Sequence, residues 1–286
     1  MAFPPQSRQA LRRIKARRRP NRHAHLVPST RLKLKSLILP KEHGSWSLAF
    51  EPMLLGLIVA PSLAGACLLL AGATGFLARR PLKLALTLPA SDPRRAAAQP
   101  IAFGLIAVAL LALHGAAVLA SWSALWPLLL AVPFGAAFLW FDRQNAMREA
   151  AAELVGSVAF ALTPAAFASL AGWSTSTGLA LAAFAVARSL PVILTIRTYL
   201  RLQKNQPVSP AWAIGAAGTA WLGLFVLAAR EIAPPVAPWL GALLLARTVW
   251  LVTTLRPHWP AKRVGQLEAC LGAVCLSLLA LAYHAG

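Results

Sequence analysis

Acid is what this sequence has least of. Eight Asp and Glu residues stand against 28 Lys and Arg in 286 positions, and only 13% of the chain is charged, about half of what a soluble domain carries. So few carboxylates leave no Asp-rich run to hold a divalent cation. The closest spacing is Glu149 and Glu153 at i, i+4, and without further acids beside it no metal and no cofactor is expected. Cysteine is nearly as scarce. Cys67, Cys270 and Cys275 all fall in apolar segments with no CxxC and no Cys/His ligand spacing, which leaves them as small apolar fillers. Internal repeats and a large soluble domain are also missing. The first apolar run lacks a small-residue cleavage site, so it is expected to remain as a span rather than to act as a removable secretory leader.

What is present is apolar surface. Hydrophobic residues make up 58% of the chain and the mean hydropathy is +0.63. At roughly 20 residues per crossing, nine segments read as membrane spans: about 45–61, 64–79, 100–119, 123–141, 151–171, 177–197, 211–229, 236–255 and 265–284. The expected fold class is all-α, a polytopic transmembrane helix bundle over residues 42–286, preceded by a basic, largely disordered cytoplasmic tail at 1–41.

Charge placement tests this count. The tail holds 12 of the 28 cations and no acid. With the tail inside, the loops 79–99, 142–150, 197–210 and 256–264 are also inside and carry 13 more. The outer loops 61–64, 120–122, 172–176 and 230–235 carry one, Arg230. That asymmetry follows the positive-inside rule and sets the N-terminus in and the C-terminus out. It also accounts for the net charge of +20 as mostly topological. The tail lacks the interleaved aromatics that stack on bases, so no nucleic-acid partner is expected. Its expected partner is the anionic lipid of the cytoplasmic leaflet. Trp122, Trp126, Trp173, Trp239, Trp259 and Tyr283 fall at predicted span ends, where amphipathic rings anchor.

The chain turns from tail to membrane at Leu39–Gly56, LPKEHGSWSLAFEPMLLG. His43, Ser47 and Glu51 recur at i, i+4, i+8, so on a helix they drift along one face. Glu51 stands roughly 10 Å into its span, Arg188 roughly 13 Å and Arg247 roughly 12 Å from the inner ends of theirs. Glu153 and Glu268 read as nearer the cytoplasmic mouth, with His43, Arg197, Glu149 and Lys83. An ionised side chain near the bilayer centre costs about 2.5–3.5 kcal/mol or more. Such groups therefore face the bundle interior, pair, or line a wet cavity. The candidate ligand-binding set is His43, Glu51, Glu153, Arg188, Arg197, Arg247 and Glu268, around a cytoplasm-facing cavity able to accept a small anion or a lipid headgroup. No residue is assigned a catalytic role. Structural ion pairs and snorkelling side chains are the competing reading.

PKEHGSW followed by an apolar helix resembles the opening signature of the YwiC-like family of bacterial membrane proteins. The resemblance extends to AELVGSVAF at Ala152–Phe160, ARSLPVILTIRTYLR at Ala187–Arg201 and KRVGQLEACLG at Lys262–Gly272. It implies a multi-pass protein of the bacterial inner membrane and supplies no catalytic residues. Nine spans with this orientation also resemble UbiA-type prenyltransferases, whose two Asp-rich motifs are replaced here by RRPLKLALTLPASDPRR and RTYLRLQKNQ. Three classes stay open: a membrane transferase without that magnesium site, a carrier for an anion or proton-coupled solute, and an accessory membrane protein.

Overall fold

The structure, a computed structural model, describes residues 37–38, 44–144, 146 and 149–285. His43 and the tail apart from Leu37 and Ile38 lie outside them. The described residues form ten α-helices and one 3-10 turn: α1 Gly44–Val59, α2 Leu63–Thr87, α3 Pro93–Leu119, the turn Ser123–Leu125, α4 Leu128–Arg143, α5 Ala150–Ala161, α6 Thr163–Leu170, α7 Thr175–Gln203, α8 Ala211–Ala229, α9 Ala237–Val252 and α10 Ala261–Ala285. There is no strand among the described residues. The protein is an all-helical membrane bundle. Six of its helical segments are long and apolar enough to cross a bilayer, with α5 and α6 counted as one, while α1 and α9 are apolar but shorter.

The nine predicted segments each correspond to one rod, with α5 and α6 sharing the fifth. Pro164 explains that break. It has no N–H to give to the Phe160 carbonyl four residues back. The Thr163 hydroxyl takes that carbonyl instead, at 2.7 Å.

The boundaries move further than the count. Helix α2 runs on to Thr87, α7 to Gln203, and α3 begins at Pro93, so the loop predicted at 79–99 shrinks to a few residues. Hydropathy stops at Arg79 and Arg197, but Arg and Lys are good helix formers and the helix does not stop with it. Asp92 begins α3: its side chain accepts from the Arg94 amide at 2.8 Å, and Pro93 fits the first turn. Ser62 and Ser174 cap α2 and α7 in the same way.

Helices α1 and α7 are central. α1 touches α2, α5, α6, α7 and α10, and α7 touches α1, α5, α6, α8, α9 and α10. Buried Gly178, Ala180, Ala182 and Ala185 on α7 let neighbouring backbones approach closely. Peripheral α3 and α8 turn Phe103, Leu110, Leu111, Leu222, Phe225 and Val226 outward, as a lipid-facing surface requires. Trp122 and Trp239 are exposed at helix ends, and Trp173 packs on Tyr283 with ring centroids 5.4 Å apart.

Two apolar layers cross the α7, α9 and α10 assembly. One is built on Leu181, Phe184, Leu240, Leu244, Cys275 and Leu279, with Leu55 and Val59 of α1. The other, toward the predicted cytoplasmic ends, is built on Tyr199, Leu251, Val252 and Val264. Along each of the three helices one buried charged residue falls between the layers: Arg188, Arg247 and Glu268.

Candidate functional site

Glu51 has a partner, and the partner is Arg188. The Arg188 Nε donates to Glu51 Oε1, and its Nη2 donates to Glu51 Oε2 at 3.1 Å. This two-point fork is the geometry in which guanidinium and carboxylate match best. Nη2 also donates to the backbone carbonyl of Glu268 at 2.9 Å. The Glu268 carboxylate lies 3.9 Å from Arg188 Nη1 and 3.1 Å from Arg247 Nη1. Two cations and two carboxylates from four helices thus make one neutral quartet, Glu51–Arg188–Glu268–Arg247.

Glu268 is the correction to the sequence-based placement. It was expected at the mouth with Glu153, yet it joins the deep group. Helix α10 starts at Ala261, four residues before the apolar segment, which puts Glu268 two turns into the helix. Glu153 does not join. It pairs with Arg197 at 2.6 Å, where α5 meets α7, nine residues and roughly 13 Å along α7 from Arg188. Lys83 belongs to a third group. It donates to Asp142 Oδ1 at 2.8 Å, Arg79 donates to Asp142 Oδ2 at 3.0 Å, and the Arg79 guanidinium lies 4.7 Å from the centroid of the Phe138 ring. The single candidate wall is therefore a buried quartet and two separate ion-pair groups. His43 lies outside the described residues.

Within the quartet, burial is unequal. The side chains of Arg188, Glu268 and Arg247 are 7%, 8% and 4% exposed, whereas that of Glu51 is 27% exposed. Glu51 is the open edge. A recess lies against it, lined mainly by Pro52, Leu55, Phe184, Ala185, Ser189 and Leu276, with Arg188 and Cys275 at its polar side. About 10 Å³ of it is free for the centre of a water molecule, room for roughly one.

Hydrogen bonding inside the quartet is incomplete. Arg247 Nε, Nη1 and Nη2 have no hydrogen-bond partner among the described residues; the 3.1 Å approach to Glu268 is a charge contact without hydrogen-bond alignment. Arg188 Nη1 and both Glu268 oxygens are in the same condition. Buried polar groups are normally satisfied, and each exception asks for an explanation such as a water or an ion. Here six unsatisfied atoms share one place.

Sequence reasoning missed Gly272. A Cβ built there would lie 2.5 Å from Arg188 Nη2 and 2.8 Å from Glu51 Oε2. The bare backbone one turn above Glu268 lets Arg188 reach the Glu268 carbonyl. The signal was in the sequence, as a glycine four residues after an intramembrane Glu. Cys275, read as an apolar filler, also lines the recess. Both aspartates are taken up locally: Asp92 holds its own helix start and Arg94, and Asp142 holds two cations.

Residues 39–169 match the model of a family described as YwiC-like protein. The matched region contains the PKEHGSW stretch, Glu51 and Glu153, and it ends before α7, so Arg188, Arg247 and Glu268 lie beyond it. No curated protein and no solved structure matches the chain.

Proposed function

Starting from a multi-pass membrane protein whose residues 39–169 are YwiC-like, we propose that the quartet is a binding site for an anionic group, held by Arg188 and Arg247. The observation that carries this reading is Arg247: a guanidinium buried to 4% exposure, ion-paired at one nitrogen and hydrogen-bonded to none of the described residues. A guanidinium offers five N–H donors in a planar fork suited to carboxylate or phosphate. If a fold needed only packing here, apolar side chains of similar volume would serve as well or better. Access is from the Glu51 edge, and the orientation set by the basic loops makes the cytoplasm the supplying side. The tail, with its 12 Lys and Arg, adds an anionic-lipid contact at that face of a bacterial inner membrane.

A second reading, a carrier for a small anion or a proton-coupled solute, is favoured by one specific feature. The quartet lies between two apolar layers, so a group bound there is flanked by apolar packing on both sides along the bundle, as a carrier site requires. The transferase alternative gains no such support, because Asp92, Asp142 and Glu153 are each already engaged by cations.

The test is native mass spectrometry of detergent-purified protein beside its Arg188→Leu/Glu51→Leu variant. Wild type is expected to hold an anion or anionic lipid that the variant loses while remaining folded and monodisperse. Equal retention by the two forms, or a wild type that takes up no anion, would remove the binding reading. Uptake of the same anion into vesicles separates a carrier from a static binding protein.

A further inference from the structure

Charge bookkeeping around Glu51 points to a coupling. The quartet is neutral as built: two guanidiniums against two carboxylates. Adding a monovalent anion would leave a net negative charge in the bundle interior, which is costly at this depth. One carboxylate must therefore be neutralised or leave, and the geometry singles out Glu51. It is the only member with an exposed edge, and it occupies the face of Arg188 beside the recess. Glu268 is enclosed, and its backbone carbonyl is itself bonded to Arg188.

We propose that Glu51 is a placeholder for the ligand: a small monocarboxylate with a short apolar body displaces it from Arg188, and Glu51 takes up one proton as it leaves. This rests on the anion-site reading above. The ligand class follows from the chemistry of the place, with room for the body opening as Glu51 leaves. What Glu51 vacates is a carboxylate position on a two-point fork, and what adjoins it is the apolar wall of Pro52, Leu55, Phe184 and Leu276. The exchange balances. Before it, Glu51 carboxylate faces Arg188. After it, the ligand carboxylate faces Arg188, protonated Glu51 carries the added hydrogen, and the interior charge is unchanged.

The groups that bear on Glu51 come from every neighbouring helix. α7 brings Arg188, while α10 brings Glu268 and Cys275. Arg247 of α9 lies behind Glu268. Glu153 of α5 is held by Arg197, α6 carries no titratable side chain, and the cations of α2 lie at its inner end. No second proton acceptor of comparable access lies in this set.

The test uses the full chain in lipid nanodiscs with butyrate and inorganic phosphate as probes. Isothermal titration in buffers of different ionisation enthalpy reads the proton count directly. Butyrate is expected to bind with uptake of about one proton, and its affinity should fall as pH rises, by up to about tenfold per pH unit. Phosphate, with no apolar body, should bind at least tenfold more weakly. Glu51→Gln should bind butyrate with no proton uptake and a flat pH profile, and Glu268→Gln should retain the uptake. Should Glu51→Gln not fold, infrared difference spectra of wild type with carbon-13 butyrate report a protein carboxylic acid formed on binding. Butyrate binding without proton uptake or that signal overturns the coupling and leaves the anion site standing. Stronger binding of phosphate than of butyrate overturns the ligand class. Binding of neither probe removes the anion site and this inference with it.

Discussion

Gly272 is held to glycine by two charges rather than by its backbone conformation. Its missing side chain is the space through which Arg188 reaches both Glu51 and the Glu268 carbonyl. Gly272→Ala is expected to destabilise the protein by about 1–3 kcal/mol, the usual range for forcing atoms into a packed site, and thermal unfolding in detergent measures it. A wild-type-like Tm would mean that Arg188 can retreat without loss. Arg247 gives the complementary case. Arg247→Leu leaves Glu268 beside Arg188 alone and should cost about 3–5 kcal/mol, whereas Arg247→Leu/Glu268→Leu should recover most of that, because deleting one member of a buried pair costs more than deleting both. The residues of this site were mostly legible one at a time, since an intramembrane Glu or Arg announces itself. Their partners were not. Nothing in local spacing says whether Glu268 meets Arg188 or Arg197. That is decided by where α10 begins, and the apolar pattern misplaced its start by four residues.

Between elements, two polar ties hold the predicted cytoplasmic ends together. The Tyr199 hydroxyl of α7 donates to the Pro257 carbonyl at 2.8 Å and accepts from the Trp259 amide at 3.0 Å, while Gln203 donates to the Trp259 carbonyl at 2.6 Å. Tyr199 is fully buried, so this one ring fastens the whole α9–α10 connection to α7. Tyr199→Phe is expected to cost about 1–3 kcal/mol and to speed limited proteolysis between Thr253 and Pro260. An unchanged cleavage rate would show that the loop is held by packing alone. The second tie is Asp142, at the inner end of α4 beyond the predicted span. Burial pushes its carboxyl up, but hydrogen bonds from Arg79 and Lys83 and their charges outweigh burial and leave it below its ordinary 3.8. Its contribution is therefore complete above the ordinary value and is lost as pH falls through the lowered one. As pH falls from about 5 through the lowered value, wild type should lose Tm more steeply than Asp142→Asn. Parallel curves would remove Asp142 as the titrating group.

At the scale of the molecule, hydrophobic run length and the lopsided cations located nine rods, because the bilayer imposes both signals. Boundaries were less legible, since Arg and Lys interrupt hydropathy without interrupting a helix, as at Arg79 and Arg197. The break at Pro164 lay in plain view, but whether a proline kinks, ends or leaves a helix depends on what takes the freed carbonyl. The orientation predicts that, in a background lacking Cys67, Cys270 and Cys275, a cysteine at Ser121 labels with an impermeant reagent in intact cells, whereas one at Ser209 labels only after permeabilisation. The opposite pattern would invert the cytoplasmic supply argued for the quartet.

The short helices have a consequence of their own. α1, α4 and α9 are each sixteen residues, about 24 Å at 1.5 Å per residue, against a hydrocarbon core of about 30 Å. Two of them carry quartet members, Glu51 and Arg247. A bilayer meeting these rods must thin locally or draw their polar ends inward, at fractions of a kcal/mol per Å of mismatch. Thinning shortens the distance from water to Glu51. The stability of the protein is therefore expected to rise in bilayers of shorter acyl chains and to decline as the chains lengthen.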